Sequence, residues 1–243
     1  MVMDADNFPR NPRGDRIMRK PSAAERIFAG AGAAIGWVAL GLQLRLAIGF
    51  SLAHGFSVAH GFVVYFGFFT VLTNILVALV LTCACLRPAS RAFLGQPGTR
   101  SAVLVYIAMV GIIYSVLLRP YWKPSGVQLI TDSLLHDVIP PLYFLYWIGF
   151  VPKGELRWID PIYWLGFPVA YFLYILVRGV FIGSYPYSFL DAAALGYPRL
   201  AENGFFLLAA FLAAGYLCVG AARALRRSKL SAPASPAPRS ASG

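Results

Sequence analysis

The sequence predicts an all-α fold, a polytopic bundle of six transmembrane helices with the N- and C-termini on the cytoplasmic side. Three observations carry that prediction. The 243 residues are 58% hydrophobic and 13% charged, with a mean hydropathy of +0.66. A soluble domain carries about a quarter charged residues, so this surface needs lipid rather than water to cover it. Six apolar runs are long enough to form helices across a hydrocarbon core of about 30 Å. The basic residues between those runs fall mostly on one of the two faces.

Residues 1–26 are polar and basic and read as a flexible tail. Their charge precedes an apolar run longer than the hydrophobic region of a secretory signal. No small-residue cleavage site follows, so the first helix reads as an uncleaved signal anchor. The six runs are Phe28–Phe50, Phe62–Leu86, Ala102–Leu118, Leu134–Val151, Ile162–Ile182 and Gly204–Ala222. Backbone polar groups in lipid must bond within their own segment, so each run is expected to be helical. Together they make one membrane domain over 27–222. Residues 223–243 are basic and then, after Leu230, rich in Ser, Ala and Pro, a stretch that should be disordered.

The orientation comes from the Lys and Arg count. Residues 1–27 hold six, 87–101 three, 152–161 two and the tail from Arg223 five, sixteen on one side. The opposite connections hold Arg119, Lys123 and Arg199 only. Such a bias places the first side in the cytoplasm. It also accounts for the net charge of +11 without a nucleic-acid partner. The expected partner is the lipid bilayer. Cys83, Cys85 and Cys218 lie inside apolar runs, and neither a disulfide framework nor a metal site is expected from them. Neither is a cofactor: only one run carries a histidine, and paired axial ligands for haem would need two. There is no internal repeat of the kind that builds inverted-repeat transporters.

Ionisable residues inside a membrane helix are costly and each needs a reason. Helix directions assign them depths. Arg45 falls near the outer end of the first helix and Arg178 near the outer end of the fifth. Thr70, Thr73 and Asn74 fall in the outer half of the second. His136 and Asp137 fall in the first turns of the fourth, and the outer connection 183–203 adds Tyr185, Tyr187 and Asp191. The clustering predicts a polar cavity on the outer side. A structural reading stands beside a functional one for several of these residues. Arg45 and Arg178 either snorkel to the interface or hold the phosphate or carboxylate of a lipid headgroup. Asn74 and the threonines either bond helix to helix or line a site. Asp132 either caps the fourth helix or, four residues before His136, orients its ring. Asp137 is free to pair with Arg45 or Arg178. Pro140-Pro141 should bend the helix and free backbone carbonyls.

His136 and a threonine at similar depth supply a base and a nucleophile, because a Thr hydroxyl becomes reactive only when an adjacent base takes its proton. Thr70 and Thr73 are both candidates. An oxyanion donor is available from Asn74, an arginine or a backbone N–H freed near Pro140.

Four segments carry a resemblance: Tyr65-Phe66-Gly67-Phe68-Phe69-Thr70-Val71-Leu72-Thr73-Asn74, His136-Asp137-Val138-Ile139-Pro140-Pro141, Pro152-Lys153-Gly154 with Trp158, and Tyr185-Pro186-Tyr187-Ser188-Phe189-Leu190-Asp191. Over about 27–222 the chain resembles a bacterial six-pass membrane family, which is similar, more remotely, to the eukaryotic androgen-induced membrane proteins. Members of the latter hydrolyse fatty-acid esters of hydroxy fatty acids with an intramembrane Thr nucleophile and a His. The resemblance implies Thr70 as the nucleophile, with Thr73 as rival, His136 as the base, a fatty-acyl ligand and a bacterial inner-membrane location. The sequence departs from that pattern in having Leu134-Leu135-His136 where the relatives pair two histidines, and in carrying two candidate threonines. The expectation is therefore an intramembrane lipid-ester hydrolase with a Thr–His dyad. The alternative is a non-enzymatic protein that binds a lipid or small ligand in the same cavity.

Overall fold

A computed structural model describes residues 22–86 and 93–231, the last four of them by backbone alone. The expected disorder of 1–21 and 232–243, and the basic residues Arg87 and Arg91, lie outside the described residues. Every element within them is a helix, and they contain no strand. Five helical segments are long and apolar enough to cross a membrane: 23–53, 69–86, 97–118, 160–182 and 192–227. Large apolar side chains such as Leu173, Val177, Phe181 and Leu217 face outward from these segments, as they do where lipid replaces water around a bundle.

Helix α1 spans Ala23–Ala53 and starts at Ser22, whose hydroxyl accepts from the Glu25 N–H at 3.1 Å. It packs closely on α3 (Phe69–Leu86) because small residues face each other: a Cβ added at Gly36 would lie 3.3 Å from Ala78. Between them α2 (Val58–Gly67) ends at Phe68, which has extended backbone angles. The second run, read as one helix over Phe62–Leu86, is thus broken immediately before Thr70. The break is stabilised from a distance: the Tyr171 hydroxyl donates to Gly67 O at 2.9 Å, satisfying a carbonyl at the end of α2.

Helix α4 (Pro97–Ile113) continues into a π turn at Tyr114–Leu118, closed by Arg119 N–H to Tyr114 O at 2.9 Å. The fourth run is longer than its apolar core suggests. Helix α5 (Gly126–Ser133), a second π turn (Leu134–Val138) and α6 (Ile139–Phe150) follow without interruption. The cause of the second π turn is Pro140-Pro141. Neither residue has an N–H, and each ring would press on the carbonyl four residues back, at His136 and Asp137; widening the turn relieves both. This run lies antiparallel to α4: Asp132 meets Tyr114 at one end, while at the other the Trp147 indole N–H donates to Ser101 Oγ at 2.8 Å.

After α7 (Asp160–Trp164), α8 (Gly166–Ile182) leads into the connection 183–191, and α9 (Ala192–Ser231) closes the bundle with a kink at Gly196. Asp191 caps α9, its Oδ1 accepting from Ala193 and Ala194 N–H at 2.9 and 3.0 Å. The end carrying connections 54–57, 119–125 and 183–191 holds the α2–α3 break and both π turns. The opposite end holds a buried ion pair, Glu25–Arg100 at 3.6 Å.

Candidate functional site

Thr70 sits in the first turn of α3. The first intrahelical bond there is Leu72 N–H to Phe68 O at 3.2 Å, so the N–H groups of residues 69–71 have no partner within the helix. The Thr70 hydroxyl lies 3.3 Å from His136 Nε2. His136 is held from its other side, where Nδ1–H donates to Asp132 O at 2.9 Å. That bond assigns the proton to Nδ1 and leaves the Nε2 lone pair facing Thr70. Asp132 Oδ1 lies 3.5 Å from the same Nδ1, with the carboxylate buried and the imidazole nearly so. The other carboxylate oxygen accepts from the Tyr114 hydroxyl, and the Tyr114 ring stacks on the imidazole at 3.9 Å between centroids. The ring is therefore fixed by a carbonyl, a carboxylate and an aromatic face.

The fourth participant comes from the connection after α8. The Tyr187 hydroxyl lies 3.5 Å from both the Thr70 Oγ1 and the Thr70 backbone N. Its ring stacks on Phe189 and meets Phe68 edge-on. The connection is pinned by Arg178, which donates to Ser184 O at 2.8 Å, and by Asn203, which donates to Phe189 O at 2.9 Å. Burial pushes the Tyr187 phenol pKa up, so it is a proton donor at neutral pH.

These groups stand at the head of a pocket of about 70 Å³ walled by α4, α8 and α9. Below Thr70 and His136 the wall is apolar, with Val110, Ile113, Phe172, Leu207 and Phe211 among its residues. Such a cavity has room for several water-sized atoms, and its walls give water few partners.

The remaining candidates fall as follows. Thr73 is fully buried and its hydroxyl has no partner, so it does not reach His136. Asn74 spends its amide on Thr70 O at 2.8 Å and Leu135 O at 3.5 Å. Asp132 lies inside α5 rather than at its cap; Ser125 holds the cap position, and the helix begins earlier than the apolar run. Asp137 pairs with Arg119, not with Arg45 or Arg178. Arg45 is exposed on α1, and neither it nor Arg178 lines the pocket. The Arg178 guanidinium packs over Gly67, where an added Cβ would lie 3.2 Å away. Tyr185 packs on Gly179, and Asp191 is a helix cap. The expected polar cavity shared by Arg45, Asn74, Asp137 and Arg178 is therefore replaced by an apolar pocket with a small polar head. Depth was a poor guide because it says nothing about the direction each side chain faces around its helix.

Tyr114 was not among the sequence candidates, and Tyr187 stood only within a motif and a connection. A tyrosine at the level of His136 within the third apolar run was the available signal for Tyr114. Compared with protein-family models, with curated proteins and with solved structures, the chain matches none.

Proposed function

We propose that this chain is a six-pass membrane protein with cytoplasmic termini that hydrolyses fatty-acyl esters within the bilayer, using Thr70 as nucleophile and His136 as base. The carrying observation is the Thr70–His136 approach of 3.3 Å, with the Nδ1 proton directed at Asp132 O. The sixth crossing is the run from Gly126 to Phe150, about 37 Å long at 1.5 Å per residue, which exceeds a hydrocarbon core of about 30 Å. The excess of basic residues at the end of the bundle opposite the site supports that end as cytoplasmic. The resemblance to the bacterial six-pass family, and more remotely to the androgen-induced proteins, supports the same reading.

In the reaction, Thr70 Oγ1 bonds to the ester carbonyl carbon while its proton passes to His136 Nε2 and the carbonyl pair moves to oxygen. His136 then gives that proton to the departing alkoxide, leaving an acyl-threonine. Water enters by the reverse steps and releases the acid. Asp132 stabilises the transient imidazolium. The apolar pocket supports an acyl chain as the bound group, since alkyl surface there replaces neither hydrogen bonds nor ordered water.

Purified protein in nanodiscs should hydrolyse 4-nitrophenyl octanoate and react with a lipid fluorophosphonate, and both activities should vanish in Thr70→Ala and in His136→Ala. Turnover equal in wild type and both variants defeats the hydrolase reading. The topology has its own test. With the native cysteines replaced, a membrane-impermeant maleimide should label Phe56→Cys in intact cells but Glu155→Cys only after permeabilisation.

A further inference from the structure

We infer that Tyr187, together with the Thr70 backbone N–H, forms the oxyanion hole of the site. The inference rests on the hydrolase reading and extends it to a residue on a different element. Once the His136 proton is assigned to Nδ1, the hydrogen-bond directions follow. Thr70 O–H donates to Nε2, so Oγ1 is left as an acceptor, and among the described residues the other hydroxyl bonded to it is that of Tyr187, at 3.5 Å. Tyr187 O–H therefore points at the nucleophile. The Thr70 N–H points at the Tyr187 oxygen from the first turn of α3, also at 3.5 Å. Two donors thus converge beside Oγ1, each bonded at rest to a partner that attack displaces.

When Oγ1 bonds to the carbonyl carbon it becomes a weaker acceptor, and the negative charge appears on an oxygen two bonds away. The phenol then gains by turning from Oγ1 to that oxygen. The amide, one of the three first-turn N–H groups without an intrahelical partner, faces the same place, where the helix dipole also favours negative charge. Of the other donors considered from sequence, Asn74 Nδ2 bonds Thr70 O, and Arg178, whose buried Nε has no hydrogen-bond partner, packs over Gly67 and does not line the pocket. Near Pro140 the surplus groups are carbonyls, which cannot donate. Tyr187 is held for this role by Phe189 and Phe68, contacts that Tyr187→Phe preserves.

The test uses the full chain in nanodiscs with 4-nitrophenyl octanoate. Tyr187→Phe should lower kcat about 100-fold, the usual cost of losing one oxyanion donor, with KM within about threefold and an unchanged unfolding temperature. Octyl trifluoromethyl ketone, which Thr70 converts to a charged hemiketal, should bind Tyr187→Phe about 100-fold more weakly; the matching methyl ketone should bind equally well. As a second variant, 3-fluorotyrosine at position 187 keeps the ring and acidifies the hydroxyl. It should move the alkaline limb of the kcat profile to lower pH, because the phenolate cannot donate. If Thr70→Ala is inactive while Tyr187→Phe keeps kcat and ketone affinity, the oxyanion assignment is overturned and the dyad stands. A 3-fluorotyrosine protein with the wild-type alkaline limb overturns it equally. If wild type and Thr70→Ala turn over alike, the hydrolase reading itself has failed, and this inference with it.

Discussion

Asp132→Asn separates the charge of the carboxylate from its geometry. His136 Nδ1 is bonded to the Asp132 backbone carbonyl at 2.9 Å, and the substitution leaves that bond in place. The imidazole should therefore keep both its tautomer and its aim. The Asn amide oxygen can also still accept from Tyr114. What is lost is the negative charge 3.5 Å from Nδ1. At an effective dielectric of 20, a pair at that separation interacts by about 5 kcal/mol. The amide dipole recovers part of this, so the loss in the transition state should be about 3–4 kcal/mol, or about 10²- to 10³-fold in kcat. Binding of the ester precedes the imidazolium and makes no use of the charge, so KM should change by less than about threefold. The measurement is steady-state hydrolysis of 4-nitrophenyl octanoate by wild type, Asp132→Asn and His136→Ala. If Asp132→Asn keeps kcat within about threefold of wild type while His136→Ala is inactive, the carboxylate gives the imidazolium no stabilisation, and the ring depends on the backbone carbonyl alone.

Thr73→Val should leave hydrolysis unchanged and should not lower thermal stability, because it removes a buried hydroxyl that has no partner; Thr70→Val should abolish turnover with little effect on stability. Gly204 lines the pocket, and an added Cβ would lie 2.9 Å from the Phe172 ring. Gly204→Val should therefore move preference among 4-nitrophenyl esters toward shorter acyl chains, and an unchanged profile from butanoate to palmitate would place the chain elsewhere. Glu25→Ala leaves Arg100 buried without its carboxylate. That should cost about 3–5 kcal/mol and lower the unfolding temperature in detergent by more than about 6 °C, whereas an unchanged transition would show the pair to be solvated.

The end of the bundle at which each residue lies was legible in the sequence, and direction around each helix was not. Thr70, His136, Asn74, Asp137, Arg45 and Arg178 were all assigned one level from the order and sense of the apolar runs. Of these, only Thr70 and His136 meet in the pocket. The rest is decided by packing. Gly67 leaves space for the Arg178 guanidinium, which does not line the pocket, and the π turn at Leu134–Val138 delivers Asp137 to Arg119 at the exposed edge. The spacing of Asp132 and His136 was legible for a different reason. An i, i+4 pair shares a helix face whatever surrounds it, and the structure keeps that relation. The break at Phe68 had no local signal. No proline or charged residue lies within Tyr65–Asn74, and the group that satisfies Gly67 O, the Tyr171 hydroxyl, comes from α8.

Three departures from regular α-helix geometry sit at the same end of this bundle, and each places a different part of the site. The break at Phe68 gives Thr70 a helix start, and with it a backbone N–H free to serve something other than the helix. The π turn at Leu134–Val138 carries His136, and the one at Tyr114–Leu118 carries the tyrosine that stacks on it. Pro140 accounts for one π turn. The other is followed at the same spacing by Pro120, whose ring would press on the Val116 carbonyl four residues back. Irregular backbone inside an apolar bundle is costly unless protein groups satisfy what it frees. Here much of that satisfaction comes from the site's own side chains: Asn74 on Thr70 O, His136 on Asp132 O, Tyr187 on the Thr70 N–H. A regular six-helix bundle would keep all these residues at the same depth and still fail to bring a hydroxyl, an imidazole and an amide N–H to one point.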